Sequence, residues 1–173
     1  MIETERLLLR KPAPDDADDL VAIVGDPEVM RWLGGSLGER DAAARTLERW
    51  LARWEEDGVG HFVAVREGRV VGRIGFLVWD GSCWEVSSYA EAGEAAVTEI
   101  GWTIVREWWG HGFATEGARA VRDWGRARGV ESLVSLIHPD NARSQRVAKK
   151  LGAAPAERVE TAGGPAVVWR HPA

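Results

Sequence analysis

The chain has 173 residues, of which 45% are hydrophobic and 28% charged, the balance of an ordinary globular protein rather than a disordered or fibrous one. Its net charge is −5, with 22 Lys and Arg against 27 Asp and Glu, so it lacks the basic surplus of a nucleic-acid binder. One cysteine, Cys83, excludes an internal disulfide and points to a reducing cytoplasm, while no apolar run approaches the ~20 residues that cross a bilayer.

The first residues, MIETERLLLRKPAP, lack the apolar core of a secretory signal. The run RLLLRK (6–11) predicts a strand ended by Pro12. In the next segment Asp15 or Asp16 can cap a helix whose apolar face is Leu20, Ile23 and Val24 and whose stop is Gly25. Residues 39–58 give the clearest helical period, with Ala43, Leu47, Trp50, Leu51 and Trp54 on one face and Gly58 at the end. Two β-rich runs around REGR, within 61–79, predict an antiparallel hairpin. Residues 80–97 have no period and read as irregular, with room for a short strand or helical turn. A strand over 98–105 follows, then a helix from Phe113 past Trp124 to Gly129. A strand over 131–138 precedes a helix over 140–152, capped by Asp140 or Asn141. A last hairpin turns at Gly163 and Gly164. The order β α α β β β α β α β β, with no repeat and no linker, predicts one mixed α/β domain over 1–173, antiparallel in front with a single βαβ unit behind.

Between the strand at 98–105 and the next helix lies WWGHGFAT, with glycines at 110 and 112. Unpaired backbone N–H groups leading into a helix N-terminus favour an anion such as phosphate. No lysine stands between 110 and 121, which argues against an ATP- or GTP-binding P-loop. Thr115 occupies the place of the third glycine in a dinucleotide fingerprint, and the preceding strands form a hairpin rather than a parallel sheet. From the loop alone, a plain turn and an anion cradle remain open.

Trp109, Gly110, His111, Gly112, Phe113 and Ala114 resemble the pyrophosphate loop of the GNAT superfamily of N-acetyltransferases, Gln/Arg-x-x-Gly-x-Gly/Ala, with Trp109 replacing its first residue. Asn141, Ser144, Val147, Lys150 and Gly152 match in register the family's later helix motif, whose tyrosine is Ala148 here. TERLLLRKP and GDPEVMRWLG are similar to the RimJ/RimL-like branch, which acetylates protein N-termini and small amines. The resemblance implies the GNAT fold: a mostly antiparallel twisted sheet, splayed between its fourth and fifth strands (98–105 and 131–138), with about four flanking helices.

It also implies transfer of an acetyl group from acetyl-CoA to a primary amine, a small molecule or a peptide N-terminus, without a metal, a covalent enzyme intermediate, a nucleic acid or a membrane. Gly110 to Thr115 would hold the CoA pyrophosphate at the helix N-terminus. Trp102, Thr103 and Ile104 would give main-chain hydrogen bonds to pantetheine, and one backbone N–H there would stabilise the oxyanion. A base must free the amine of its proton, and Glu99, the acidic residue of the central strand, is the candidate, with Glu85, Glu91 and Glu94 as alternatives. By motif position Ser144 is the nearest hydroxyl for the departing sulfur, and Asn141 would cap its helix and touch pantetheine in the same arrangement. Trp32, Trp79, Trp84 and Trp102 are candidates for the acceptor wall. No histidine pair has metal-site spacing. A non-catalytic CoA-binding or sensory domain, and a dinucleotide enzyme, are the rival readings; a homodimer through the C-terminal strands is expected from the resemblance only.

Overall fold

The computed structural model describes residues 1–33 and 40–173. Its strands are β1 (Ile2–Glu3), β2 (Leu8–Arg10), β3 (His61–Arg66), β4 (Arg69–Asp80), β5 (Glu85–Val86), β6 (Ala96–Ile104), β7 (Leu133–Ile137), β8 (Ala154–Thr161) and β9 (Gly164–Arg170). Its helices are α1 (Ala17–Val24), α2 (Pro27–Met30), α3 (Arg40–Asp57), α4 (Tyr89–Ala92), α5 (Phe113–Arg126) and α6 (Ala142–Lys150). One sheet runs in the order β1-β2-β3-β4-β6-β7-β9-β8, with β5 beside the end of β4. All pairs are antiparallel except β6 with β7. The mixed α/β class and the four expected long helices are present, with α2 and α4 as short additions.

The differences from the sequence reading have local causes. Asp16 does not cap α1: its carboxylate accepts from Ala13 N and from both terminal nitrogens of Arg10, at 2.7 and 2.6 Å. That ion pair ties β2 to the start of α1. The unforeseen α2 starts at Asp26, whose Oδ1 accepts from Glu28 N, and Pro27 at its first position suits a helix start. The aperiodic stretch 80–97 is used up by the end of β4, β5, α4 and the first residues of β6. Glu39, the expected first residue of the long helix, and Gly34 of the N-terminal motif lie outside the described residues. The REGR turn holds Glu67 and Gly68 at φ 49° and 77°, both positive as a tight two-residue hairpin requires.

Alternation along the strands divides the sheet into two faces. Phe62, Ile74, Phe76 and Ile100 face α5, whose Phe113, Ala118 and Val121 complete the main core. Gly117 and Gly125 let α5 lie close, because a Cβ at either would overlap Ile74 or Phe76. A second cluster, Leu20, Ile23, Ala43, Leu47 and Trp50, joins α1 and α3. Ile137, Ala148 and Trp169 pack α6 beside β7 and β9.

The parallel pair is short. β6 and β7 are in register only at Thr98 with Leu133 and Glu99 with Val134. Just beyond, Ser135 Oγ donates to Ile100 O at 2.7 Å and lies 2.9 Å from His171 Nε2, which must be the donor to it. His171 Nδ1 is left buried without a partner. Burial, followed by the charges of Arg122 and Arg126, lowers the His171 pKa to about 4.

Depressed titration means that the unfolded chain takes up protons the folded chain refuses. Stability from this group is therefore complete above the ordinary value of 6.5 and lost as pH falls from 6.5 to about 4. Urea unfolding over that window is expected to show a shallower pH dependence in His171→Gln than in the parent; identical dependence would remove His171 from this role.

Candidate functional site

Two cavities open where β6 and β7 part. The first, of about 300 Å³, lies between the end of β6, the turn before α5 and the first turns of α6. Trp102, Thr103, Ile104, Trp109, Gly110, Gly112, Phe113, Ala114, Thr115, Asn141 and Ser144 all line it. His111 does not. Its side chain is exposed, Nδ1 is 3.0 Å from Trp109 O, and the ring stacks on Phe113 at 5.9 Å.

Local forces shape the loop. Gly110 and Gly112 take φ 82° and 86°, a region that costs any side-chain-bearing residue strain. A Cβ on Gly110 would meet nothing within 4 Å, so its surface is open to a ligand. From behind, Arg6 NH1 donates to His111 O at 3.0 Å, while Glu116 accepts from Thr4 Oγ1, Arg6 N and Arg6 Nε. The N-terminal segment thus fixes the start of α5. Arg143, Arg146 and Lys150 from α6 also line this cleft against one described carboxylate, Glu28. The sequence singled out Lys150 as a match to the later helix motif but neither arginine; only the fold brings the three together. Arg143 lies over the Trp109 ring, 4.2 Å from its centroid. The tryptophan that replaces Gln/Arg therefore supports a cation and donates from Nε1 to Ile104 O at 2.6 Å.

The expectation that Trp102, Thr103 and Ile104 all offer main-chain bonds needs correction. In the antiparallel ladder with β4, Val105 N donates to Val71 O, which puts Thr103 opposite Arg73 in a hydrogen-bonded pair. The Thr103 backbone is therefore spent within the sheet. Trp102 and Ile104 point to the open edge, as Ile100 does toward Ser135, and Ile104 O is already taken by Trp109. The Thr103 side chain lines the cleft, and its Oγ1 is buried without a partner among the described residues.

The second cavity, of about 610 Å³, lies on the other side of the parting. Glu99 lines it, half-buried. Its Oε2 accepts from Trp79 Nε1 at 2.8 Å, and its Oε1 has a long contact of 3.4 Å with Leu136 N. Burial raises its pKa, opposed by the Trp79 bond and the Arg73 charge. A carboxylate raised toward neutrality is better matched to taking a proton. Glu85, Glu91 and Glu94 line neither cavity. Of the four tryptophans expected at an acceptor wall, Trp32, Trp79 and Trp102 line this space and Trp84 does not.

The two cavities share Trp32, Leu33, Trp102, Asn141 and Ser144. Asn141, not Asp140, caps α6: its Oδ1 accepts from Ser144 N at 3.1 Å. That cap sets the first turn of the helix in the throat, with Ser144 Oγ engaged by no group among the described residues. Ala148, in place of the family's tyrosine, is fully buried against Ile137 and Trp169. Tyr89 lies elsewhere, its hydroxyl 2.8 Å from Thr98 Oγ1. No group of three His, Cys, Asp or Glu able to hold a metal is found among the described residues, nor any helix long and apolar enough to cross a membrane.

Residues 6–154 match the family described as Acetyltransferase (GNAT) domain. The uncharacterized protein YkkB of Bacillus subtilis is 34% identical over 86% of this chain and 82% of its own length. The uncharacterized N-acetyltransferase YoaA of the same organism is 28% identical over 88% and 81%. Among solved structures, AAC(6')-Ib in complex with ribostamycin and coenzyme A superposes with a TM-score of 0.77 at 20% identity, covering 96% of this chain and 93% of that one. The chain belongs to the GNAT acetyltransferase family, and its class is that of the N-acetyltransferases.

Gly112→Val is expected to abolish stabilisation of the protein by CoA in a thermal-shift titration, since the left-handed backbone would be strained and the loop displaced. Normal CoA stabilisation of a folded Gly112→Val would refute this role for the loop.

Proposed function

We propose that the chain transfers an acetyl group from acetyl-CoA directly to a primary amine of a small molecule or a peptide N-terminus. The observation that carries this reading is the shared throat, where a cation-lined cleft meets a cavity holding a half-buried carboxylate. The residues fit a CoA-type ligand. Gly110 leaves backbone open to a pyrophosphate, Gly112 lines the same cleft, and Arg143, Arg146 and Lys150 complement the ligand's charge. Trp102 offers its main chain on the open edge, where an extended amide chain can pair as a strand does. Bound acetyl-CoA supplies the activated acetyl thioester. A neighbour of the same fold was solved with ribostamycin and coenzyme A together, which supports a small-molecule acceptor in the second cavity.

The chain's own groups divide the work. Glu99 takes a proton from the ammonium, directly or through water, because an alkyl amine is mostly protonated at neutral pH and must be neutral to attack. Trp79 orients that carboxylate through its Nε1. Ser144, held in the throat by the Asn141 cap, donates a hydrogen bond to the departing sulfur. With alanine at 148 and Tyr89 bonded to Thr98, it is by motif position the hydroxyl for that role.

Glu99→Gln is expected to lower kcat by about a hundredfold, the usual scale of general-base catalysis, and to remove the acidic limb of its pH profile. That limb should lie above the ordinary carboxylate range, because burial raises the Glu99 pKa. Ser144→Ala should reduce kcat more than CoA affinity. Thiol release measured across pH with an amine panel decides both; a Glu99→Gln enzyme with the parental profile removes the base assignment. CoA binding with no thiol release from any amine would favour the non-catalytic reading instead.

A further inference from the structure

The acceptor cavity holds a second charged group that amine deprotonation does not use. Arg73 of β4 lines it on the same face as Glu99. Its NH1 lies 3.1 and 3.3 Å from the two ring nitrogens of His61. Burial and the Arg73 charge lower the His61 pKa well below its usual range, so that ring is neutral. Trp50 lies under the guanidinium, 5.6 Å from Cζ to the ring centroid. No carboxylate among the described residues is in ion-pair contact with Arg73, and its Nε and second terminal nitrogen have no partner there. A guanidinium has five donors and no acceptor. One neutral imidazole and one ring face leave donors on half-buried Arg73 that water, or an oxygen of a ligand in the cavity, can meet.

Glu99 stands close by. A methyl on Gly101, between them in the cavity wall, would lie 3.6 Å from Glu99 Oε1 and 3.9 Å from Arg73 NH1. The position is bare, so one small ligand can touch both groups at once. Arg49, from α3, lines the same cavity and adds a second cation. The cavity therefore offers a carboxylate for an ammonium and, a few ångströms away, a guanidinium for an anion. Two arginines against one carboxylate would repel a polyamine. The overall charge of −5 points the other way, but the local field in a walled cavity decides.

We infer that the acceptor is a zwitterion: an amine carrying a carboxylate close to its amino group, as in a free amino acid, with Glu99 receiving the amine and Arg73 the carboxylate. The inference rests on the acetyl-transfer reading and narrows its substrate class. Arg73 is then a specificity-determining residue that binds the end of the acceptor that does not react.

The test compares α- and ω-amino acids of increasing length with their carboxamides, as acceptors in thiol release from acetyl-CoA. The acids are expected to exceed the matching amides in kcat/KM by about tenfold or more, the scale of one charged hydrogen-bonded contact. In Arg73→Gln the acid-to-amide ratio should collapse toward one, and Arg73→Lys should keep part of it. Stabilisation of each variant by acetyl-CoA verifies its fold. Amides that match or exceed acids, or an Arg73→Gln change that lowers both members of every pair equally, would overturn the inference. If no amine releases thiol while CoA still binds, the transfer reading fails instead. The same pairs are then compared as ligands of the CoA complex: stabilisation by acids alone upholds the anion site, and equal or absent stabilisation overturns it.

Discussion

The two central strands part after two paired residues, and every feature of the candidate site depends on that parting. β6 keeps its antiparallel bond to β4 along its whole length, while its other edge is paired with β7 only at Thr98 and Glu99. A parallel ladder this short would be a weak seam on its own. Ser135 continues it by one side-chain bond to Ile100 O, backed by His171 from beyond β9. Past that point the backbone of Trp102 has no strand beside it. An edge inside a protein normally invites pairing. Here it is flanked by the glycine turn on one side and the capped start of α6 on the other.

That geometry also separates the charges. The first cavity collects Arg143, Arg146 and Lys150 from α6, a lining suited to a polyanion. The second holds Glu99 and Arg73, which the register of β4 with β6 sets on one face of the sheet. Trp102 borders both, and Ser144 reaches the junction from the helix. Chemistry between a ligand in one cavity and a ligand in the other can occur only at that junction, which is why an oriented hydroxyl and a carboxylate of raised pKa near it carry weight.

Features built from nearby residues were readable in the sequence. The α3 face, the REGR turn, the glycine turn before α5 and the Asn141 cap each depend on spacing within a few positions. Features built across strands were not. The contact of Trp79 with Glu99 follows from a register that opposes Leu77 to Glu99 and brings Trp79 diagonally near, and sequence alone does not set that register. Thr103 was expected to offer its backbone, yet the same register spends it on β4. Arg73 was not singled out in the sequence, because its place depends on α3 lying over that face of the hairpin and setting Trp50 against it. The segment 80–97 stayed unreadable because its elements are too short to show a period.

Amide hydrogen exchange along β6 tests the open edge most directly. The Trp102 amide faces the parting, whereas the Thr103 amide is already bonded to β4. Saturating CoA is expected to slow exchange at Trp102 strongly and to leave Thr103 nearly unchanged. Unaltered exchange at Trp102 in a protein shown to bind CoA would contradict the account, since the ligand would then lie somewhere other than between β6 and β7.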